Sequence, residues 1–310
     1  MARYASRSWQ GGLMTGASIG ARVTLVTVHF RGEADLLALL ACLPDLPTVV
    51  VDNSPDPART IGLLADRPAV RHLPSAGNVG FARAANAGAA LADTPYVLFA
   101  NPDSRPSLKD TAAMERLLGA DVGLAAVAPA VLDDHGRARG GGGRQPSVVS
   151  ALATLAGPLG PPTHRVWIVP RRRLQEVEWL SGACLLVRRD AFTAVGGFDE
   201  HYPLYNEDMA LGARLRAAGH RLALDGRIRV RHVGGGASTD ASWLWQTRGG
   251  ALGHYVRRQS RRPRTVQALL ALSFAIRAAA CAVRGRPEGA RQWALLTRAL
   301  LAARLPVLTP

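Results

Sequence analysis

Polar residues that could bind a nucleotide follow three apolar, strand-like runs of the chain. They are Thr27 and His29 at the end of the first run, Asp52 and Asn53 after the second, and Asn101 and Asp103 after the third. Because an open α/β sheet binds ligands beyond the carboxyl ends of its parallel strands, these residues are predicted to meet at one cleft. A carboxylate such as Asp103 can hold a hard divalent cation that bridges phosphate oxygens. The pattern therefore favours a nucleotide diphosphate site.

A glycine-rich segment lies between the second and third of these runs. Its polar and glycine positions are Gly77, Asn78, Gly80, Arg83 and Asn86. A glycine loop that opens a helix presents free N–H groups to an anion. The segment does not match the G-x-G-x-x-G pattern and does not follow the first strand, so a dehydrogenase is disfavoured. Tight packing of the helix on a strand is the alternative interpretation.

Asp52 and His232 also have an ordinary structural interpretation. Asp52 begins an Asp-Asn-Ser-Pro sequence that is typical of turns. A functional role for Asp52 is favoured because polar residues also follow the other strands. His232 follows a strand-like run at 227–231 and is the candidate second metal ligand. Considered alone, it would be assigned as a hydrogen-bonded loop histidine.

Glu207 and Asp208 begin a predicted helix and are the candidate catalytic acids. Acidic residues at a helix N-terminus favour the helix dipole, which is the default explanation. However, Asp208 shares a helical stripe with Leu211 and Leu215 and should face the domain body. A carboxylate withdrawn from water has a raised pKa and can act as a general base. Glu207 is then its orienting partner.

A segment with Trp179, Ser181 and Gly182 is predicted to line an acceptor pocket. Tryptophan is also common in protein cores, so this assignment has a structural alternative.

Strand and helix signals alternate from residue 23 to about 130, which predicts a parallel sheet with helices on both faces. Residues 1–20 have no apolar signal-peptide core and are predicted to form a disordered lead-in. Residues 145–175 are predicted to be a mobile loop region. A strand pair is expected over 221–230, turning at Asp225-Gly226. Residues 240–310 are predicted to form basic, amphipathic helices.

The chain has 310 residues and a formal net charge of +15, almost all of it from arginine. This charge predicts attraction to phosphates, anionic lipid or nucleic acid. A nucleic-acid partner is not expected, because RNA-binding signatures, zinc-finger spacing and basic-plus-heptad patterns are missing. Three widely spaced cysteines argue against a disulfide framework and fit a reducing cytosol.

The C-terminal region combines apolar and basic residues. An apolar surface is predicted from Leu269, Leu270, Leu272, Phe274 and Ile276, with arginines nearby. Such segments can lie on an anionic membrane surface. Packing on the catalytic domain and formation of a homodimer are equally open. The run 268–283 is interrupted by Arg277 and is predicted to be too short to span a bilayer.

Taken together, the motifs identify a resemblance over roughly residues 22–236. The matching segments are Val50 to Ser54, Gly77 to Phe81 with Asn86, Asn101 to Asp103, Trp179 to Arg189, Gly196 to Glu200 and Tyr205 to Asp208. Their order and spacing resemble the family 2 glycosyltransferases, in the bacterial rhamnosyltransferase-like branch. The resemblance implies an α/β GT-A fold, a Rossmann-like mixed sheet flanked by helices with a C-terminal helical extension. It implies a catalytic domain at 21–239, with a nucleotide-sugar half at about 21–130 and an acceptor half at about 176–239.

The resemblance also implies a role for each candidate residue. Asp52 would contact the pyrimidine or ribose of the donor, with Asn78, Arg83 and Asn86 on the nucleotide side. Asp103 would bind Mn²⁺ or Mg²⁺ with His232 as the distal contact, and Asp208 would be the base of an inverting transfer. Asn101 replaces the first acid of a full DxD motif, and Ala210 stands where relatives often have an acid.

The implied substrates are a nucleotide-diphosphate sugar and a lipid-linked glycan acceptor, handled in the cytoplasm or at the inner face of the cell membrane. L-Rhamnose from dTDP-rhamnose is the expected donor, and a UDP-hexose or UDP-galactofuranose is the alternative. A nucleotidyltransferase and a non-enzymatic nucleic-acid-binding protein are the remaining alternatives. The former is disfavoured because no glycine- and lysine-rich phosphate loop follows Val28.

Overall fold

The computed structural model describes residues 22–233, 241–305 and 308. The lead-in predicted for residues 1–20 lies outside the described residues. The strands are β1 Val23–His29, β2 Thr48–Asp52, β3 Val70–Pro74, β4 Tyr96–Ala100, β5 Ser104–Arg105, β6 Leu124–Leu132, β7 Ala138–Gly140, β8 Gly142–Gly143, β9 Leu174–Val177, β10 Trp179–Leu180, β11 Cys184–Arg188 and β12 Arg221–His232. The helices are α1 Glu33–Cys42, α2 Pro57–Leu64, α3 Phe81–Ala89, α4 Leu108–Ala120, α5 Val148–Leu155, α6 Arg189–Ala194, α7 Glu207–Ala217, α8 Ala241–Gln259, α9 Pro263–Val283 and α10 Pro287–Ala302.

A mixed sheet forms the centre of the fold. Its main strand order is β3-β2-β1-β4-β11-β6-β12-β5, with β7 added beside β6 and β9 beside β12. Strands β3, β2, β1 and β4 are parallel, and β11 runs antiparallel between β4 and β6. The carboxyl ends of β2, β1 and β4 therefore lie next to one another, and the start of β11 lies beside them.

The sequence explains why these strands are central. Strands β2 and β4 are buried along their whole length, as expected for short apolar runs that are covered on both faces. Helix α3 packs its alanines on one face of the sheet, and α1 and α4 pack leucines and Met114 on the other. The predicted layered α/β sheet is confirmed, and the antiparallel β11 makes it mixed.

The prediction of a strand pair at 221–230 is wrong. Residues 221–232 form one strand, β12, and its pairing with β6 shifts register between Asp225 and Arg229. Asp225 accepts hydrogen bonds from the backbone and guanidinium of Arg227, which satisfies the irregular segment locally. At Gly226 a Cβ atom would clash with the carbonyl oxygen of Arg171. The Asp-Gly pair therefore marks a bulge with a close backbone approach and not a hairpin turn.

The prediction of a mobile loop over 145–175 is also wrong for part of that range. Helix α5 occupies Val148–Leu155 and begins with a capping box in which Ser147 and Ser150 exchange hydrogen bonds. The sequence analysis missed this Ser-x-x-Ser spacing because it lies in a segment rich in proline and arginine.

The three C-terminal helices are joined to the preceding part of the chain by a shared apolar core. Tyr255, Leu270 and Phe274 pack with Trp179 and Met209 in one buried cluster. This placement corrects the predicted apolar surface, because Leu270 and Phe274 are buried whereas Leu272 and Ile276 are about half exposed. Among the described residues, α9 is the one helix that is long and apolar enough by composition to cross a membrane, and 33% of its apolar window is buried in the fold. It begins at Pro263, so the apolar run predicted at 268–283 was too short.

Candidate functional site

The ends of β1 and β2 form the first part of the candidate site. His29 and Asp52 are paired in register, and the backbone amide of Asn53 donates to the His29 carbonyl (2.7 Å). Asp52 is fully buried, and its two carboxylate oxygens accept from the Ser54 amide (2.9 Å) and from His72 Nε2 (2.9 Å). Burial opposes ionisation of Asp52, but these hydrogen bonds outweigh it and hold its pKa below the usual range.

Several polar atoms at this edge are buried without a hydrogen-bond partner. Within the described residues, Thr27 Oγ1, His29 Nδ1 and Asn53 Oδ1 are in this position. Burial lowers the pKa of His29, against the opposing effect of Asp52, so the imidazole is neutral. Buried polar atoms usually find a partner, so three neighbouring exceptions indicate a place where a bound group or water completes the bonding.

The glycine-rich segment lies against the end of β2. Asn53 Nδ2 donates to the Gly80 carbonyl (3.2 Å), and Asn78 Oδ1 accepts from the Gly80 amide (3.3 Å). Gly80 has a φ of +87°, and a Cβ atom there would lie 2.7 Å from the Pro203 carbonyl oxygen. Gly77 also has a positive φ (+79°) but has open space around it. Helix α3 thus begins directly at the predicted nucleotide edge.

Two further residues of this segment contact the turn before α7. Asn86 donates to the Phe198 carbonyl (2.9 Å) and accepts from the Phe198 amide (2.8 Å), and Arg83 Nε donates to Glu200 (3.0 Å). In this structure both side chains hold the Phe198–Glu200 turn, a contact that the sequence did not indicate. Their predicted contact with the nucleotide remains a prediction.

The predicted metal ligands come together from distant parts of the chain. His232 Nε2 lies 3.0 Å from Asp103 Oδ1 and 3.3 Å from Asn101 Nδ2. The pairing of β12 with β5, which places His232 opposite Ser104, produces this approach. A carboxylate and an imidazole suit Mn²⁺, and Mg²⁺ would rely more on the carboxylate. Within the described residues no cluster of three or more His, Cys, Asp or Glu side chains is present, so two protein ligands would leave positions for phosphate oxygens.

A short loop between β10 and β11 connects the predicted metal ligands to the candidate base. The Ala183 carbonyl accepts from the backbone amide of Asn101 (3.1 Å) and from Ser104 Oγ (2.6 Å). The next residue back, Gly182, points its amide at Asp208 Oδ2 (3.4 Å). Ser181 Oγ accepts from the Ala183 amide within the same loop (3.3 Å). Ser181 and Gly182 therefore lie between the two predicted reactive groups.

The Glu207–Asp208 pair lies at the first turn of α7. Asp208 Oδ1 accepts from the Met209 amide (2.7 Å). Burial raises the pKa of Asp208 to about 6, although the hydrogen bonds from Met209 and Gly182 oppose the rise. Burial and the neighbouring Asp208 carboxylate raise the pKa of Glu207 well above its usual range. Glu207 Oε2 is buried without a partner among the described residues, which favours the protonated form.

The backbone just before this pair has an uncommon conformation. Tyr205 and Asn206 have φ values of 65° and 70°. Such left-handed conformations in residues other than glycine cost energy and cluster at functional sites. The Arg248 guanidinium of α8 lies 5.1 Å from the centroid of the Tyr205 ring. Helix α8 thus contacts the segment that leads into α7.

Trp179 has the contacts of a core residue. It is 5% exposed, and its indole N–H donates to the Val166 carbonyl (2.9 Å). It also packs against Gly212 of α7, where a Cβ atom would lie 2.8 Å from the Trp179 Cα. The indole is therefore buried, and a place for Trp179 in an acceptor pocket remains a prediction.

His72 is a site residue that the sequence analysis missed. It lies on β3 opposite Val50, so its side chain shares a face with Asp52 and reaches the carboxylate diagonally. The signal was its position two residues before the end of a strand neighbouring β2, which only the strand pairing makes evident.

Comparisons with known proteins identify relatives of this chain in sequence and in fold. The chain is 33% identical over 208 residues to the N-acetylglucosaminyl-diphospho-decaprenol L-rhamnosyltransferase of Mycobacterium tuberculosis, covering 59% of this chain and 66% of that protein. It thus spans just under two thirds of the length of the curated relative. It is also 30% identical over 94 residues to the O-antigen biosynthesis protein RfbC of Myxococcus xanthus, which covers 27% of this chain and 7% of that protein. No family model matches the chain.

Solved structures share the fold at low sequence identity. The mannosyltransferase PcManGT from Pyrobaculum calidifontis, in complex with GDP-Man and Mn²⁺, aligns with a TM-score of 0.56 at 16% identity, covering 91% of this chain and 85% of that chain. GalNAc-T7 with UDP, GalNAc and Mn²⁺ aligns with a TM-score of 0.53 at 13% identity, covering 69% of this chain and 44% of that chain. The predicted resemblance is confirmed: the chain has the fold of the GT-A glycosyltransferases and is similar in sequence to a mycobacterial L-rhamnosyltransferase.

Proposed function

We propose that this chain is an inverting glycosyltransferase that moves a sugar from a nucleotide diphosphate to a hydroxyl of a lipid-linked acceptor. The single observation that carries the proposal is the loop at 181–183. Its adjacent residues contact the candidate base Asp208 on one side and, through Ala183, the Asn101–Asp103 segment on the other. A transferase needs a base for the attacking hydroxyl and a separate group for the leaving diphosphate, and this loop joins the two.

Asp208 would remove the proton from the acceptor hydroxyl as that oxygen attacks the anomeric carbon. The bond from the anomeric carbon to the diphosphate oxygen breaks on the opposite face, so the configuration inverts. With a pKa of about 6, Asp208 is mostly ionised at neutral pH and still basic enough to accept a proton. Burial and the Asp208 carboxylate raise the pKa of Glu207, which disfavours a second negative charge beside the base. General-base help of this kind contributes about 10²–10⁴-fold in rate.

Asp103 and His232 would hold a divalent cation. When bound, the cation supplies Lewis-acid stabilisation of charge on the leaving phosphate. The 3.0 Å approach of Asp103 Oδ1 to His232 Nε2 supports this assignment, because the two side chains present an oxygen and a nitrogen to one point. Two GT-A structures with the same fold contain Mn²⁺. The amide of Asn101 completes the polar lining without adding negative charge.

The donor nucleotide would bind at the ends of β1 and β2. The unpartnered atoms of Thr27, His29 and Asn53 support this position, since a base or ribose could supply the missing hydrogen bonds. Asp52 holds its orientation through His72 and Ser54, so it would act from beneath the pocket floor.

We further propose L-rhamnose from dTDP-rhamnose as the donor and a polyprenol-diphosphate-linked glycan as the acceptor. The similarity to the mycobacterial rhamnosyltransferase supports this choice. A UDP-hexose or UDP-galactofuranose is the alternative donor. The reaction would take place on the cytoplasmic side of the membrane, where nucleotide sugars are available.

Nucleotide-dependent thermal stabilisation tests this function directly. The full chain is heated with dTDP, UDP or GDP, each with and without Mn²⁺, and the midpoint of unfolding is compared. Because a ligand that binds only the folded state raises stability, we expect the largest shift for dTDP with Mn²⁺. Radiolabelled transfer from dTDP-rhamnose then tests the chemistry. Stabilisation by no nucleotide, together with salt-sensitive binding to DNA, would refute a glycosyltransferase and support the nucleic-acid-binding alternative.

A further inference from the structure

Two neighbouring helices expose apolar side chains to solvent. In α9, Leu272 and Ile276 are 50% and 52% exposed, and Val283 continues the stripe at its end. In and after α5, Val149, Leu152 and Leu159 are exposed in the same way. We call these six residues the apolar face. With Trp167, which packs on Phe274 of α9, they make up seven of the thirteen exposed large apolar residues in the described part of the chain.

The two helices are fixed to each other next to this face. Ser273 Oγ donates to the Thr154 carbonyl near the end of α5 (3.4 Å), and Arg277 donates to the same carbonyl (3.4 Å). Ser273 and Arg277 directly follow Leu272 and Ile276 in α9. Arg165 donates to the Gly157 and Gly160 carbonyls, which holds the segment that carries Leu159. The apolar face is therefore a built surface of two packed segments.

The two segments that carry the apolar face are basic, and the acid that lines a cleft with Val149, Glu178, is paired with Arg144 and Arg216. Residues 241–287 contain nine arginines, and residues 141–175 contain five, without one Asp or Glu in either range. Exposed arginines stand at both ends of α9, at 261, 262 and 264 before or within its first turn and at 284 and 286 after its last. An apolar stripe bordered by arginines is complementary to anionic lipid headgroups over acyl chains.

We propose that the apolar face docks this protein onto an anionic lipid bilayer, with α5 and α9 lying in the plane of the interface. A second copy of the chain is a poor occupant, because its own arginine-rich face would repel this one. A spanning α9 does not fit either. Gln267 on its inner side donates to the Gly253 and Leu300 carbonyls, so that side is bound to α8 and α10. This inference rests on the proposed function and extends it, because a lipid-linked acceptor lies at a membrane surface.

Flotation with lipid vesicles tests the surface. The full chain is mixed with vesicles of phosphatidylcholine alone or of equal parts phosphatidylcholine and phosphatidylglycerol. We expect partitioning to the anionic vesicles and a decrease when NaCl rises from about 50 to about 500 mM, since salt screens the arginine attraction. Equal partitioning to both vesicle types would overturn the anionic-surface proposal.

The variant L272Q/I276Q removes two apolar side chains from the centre of the face. Since each is about half exposed, insertion of both should contribute about 10- to 100-fold in the partition coefficient, and we expect that loss. The matched control I61Q/V122Q changes two exposed apolar residues elsewhere (55% and 85% exposed) and should partition like the wild type. Wild-type partitioning of L272Q/I276Q would overturn the proposal.

Further measurements distinguish lipid docking from a spanning helix and from a dimer. They also distinguish a failure of this inference from a failure of the proposed function. Resistance of bound protein to alkaline carbonate extraction would reveal a spanning helix, and a dimer broken by L272Q/I276Q would reveal a second copy; either result overturns lipid docking. Transfer to a water-soluble acceptor analogue without vesicles should be unchanged in L272Q/I276Q. Vesicle binding without any sugar transfer would refute the proposed function and leave the docking surface standing.

Discussion

The replacement Asp208→Asn tests the base assignment most directly. The substitution keeps the shape of the side chain and can still accept a hydrogen bond from the Met209 amide. It cannot accept a proton from the acceptor hydroxyl. We expect kcat to fall about 10²–10⁴-fold, with nucleotide binding nearly unchanged because the change is on the acceptor side. Radiolabelled sugar transfer measures kcat, and thermal stabilisation by the nucleotide with Mn²⁺ measures donor binding.

The same assignment predicts the pH dependence of the wild type. With a pKa of about 6 for Asp208, about one eleventh of the protein is ionised at about pH 5. We expect transfer at about pH 5 to be roughly tenfold below its plateau, with an inflection near pH 6. A flat profile down to about pH 4.5 would refute the base.

The raised pKa also has a signed consequence for stability. Because the folded state binds this proton more tightly than the unfolded chain, the stabilisation is complete at low pH and is lost as pH rises through about 6. A rise from 3.8 to about 6 corresponds to about 3 kcal/mol at neutral pH. Asp208→Asn should remove this cost, so the unfolding midpoint of the variant should gain on the wild type as pH rises from about 4 to about 6 and keep a constant lead above that.

A matched control exists on another helix. Asp190 lies in the first turn of α6, is exposed, and accepts from the Ala191 backbone amide at 2.7 Å, just as Asp208 accepts from Met209. Asp190→Asn should leave transfer and its pH profile unchanged. Near-wild-type kcat in Asp208→Asn, or an equal loss in Asp190→Asn, would show that the reasoning is wrong.

Three other variants test separate contacts. Asp103→Asn should abolish the Mn²⁺-dependent part of nucleotide stabilisation, since it removes the carboxylate ligand, and thermal shift with and without Mn²⁺ measures this. Gly80→Ala should lower the free energy of unfolding by about 2–4 kcal/mol, against about 1–2 kcal/mol for Gly77→Ala, because both have positive φ but only the former meets a carbonyl oxygen at 2.7 Å. Asn86→Ala should cost about 1–3 kcal/mol in urea unfolding through its lost bonds to the 198–200 turn.

Each of these has its own control or refuting result. Asp93→Asn changes an exposed carboxylate before the start of β4, at the opposite end of that strand, and should keep the Mn²⁺ effect. Equal destabilisation by the two glycine variants would show that the carbonyl approach carries no energy. An Asn86→Ala variant with unchanged stability but weaker nucleotide binding would return this residue to the donor site predicted from the sequence.

Local sequence patterns predicted the central sheet because the information is local there. Helix α1 contains a run of leucines and β4 is a short apolar run, and both features are visible in the sequence. Asn101, Asp103 and His232 were also assigned together, but their contact depends on β5 pairing with β12. No spacing along the chain encodes that pairing.

The errors arose where long-range contacts decide the conformation. Asp225-Gly226 has turn chemistry, yet the pairing of β12 with β6 and the close Arg171 backbone keep it within a strand. His72 was missed because its role depends on which strand lies beside β2. Leu270 and Phe274 were placed on a surface because helical periodicity alone does not tell which apolar stripe meets a neighbour.

The buried hydroxyl of Tyr255 has a consequence for how the chain can be divided. It donates to Gln145 Oε1 (2.6 Å) and to the Met209 carbonyl (3.2 Å), the residue directly after the candidate base. A shortened protein that ends before α8 would uncover this carbonyl and the apolar residues beneath it. Such a deletion would report on misfolding, and the C-terminal helices would not be transferable to a foreign catalytic unit as an independent cassette.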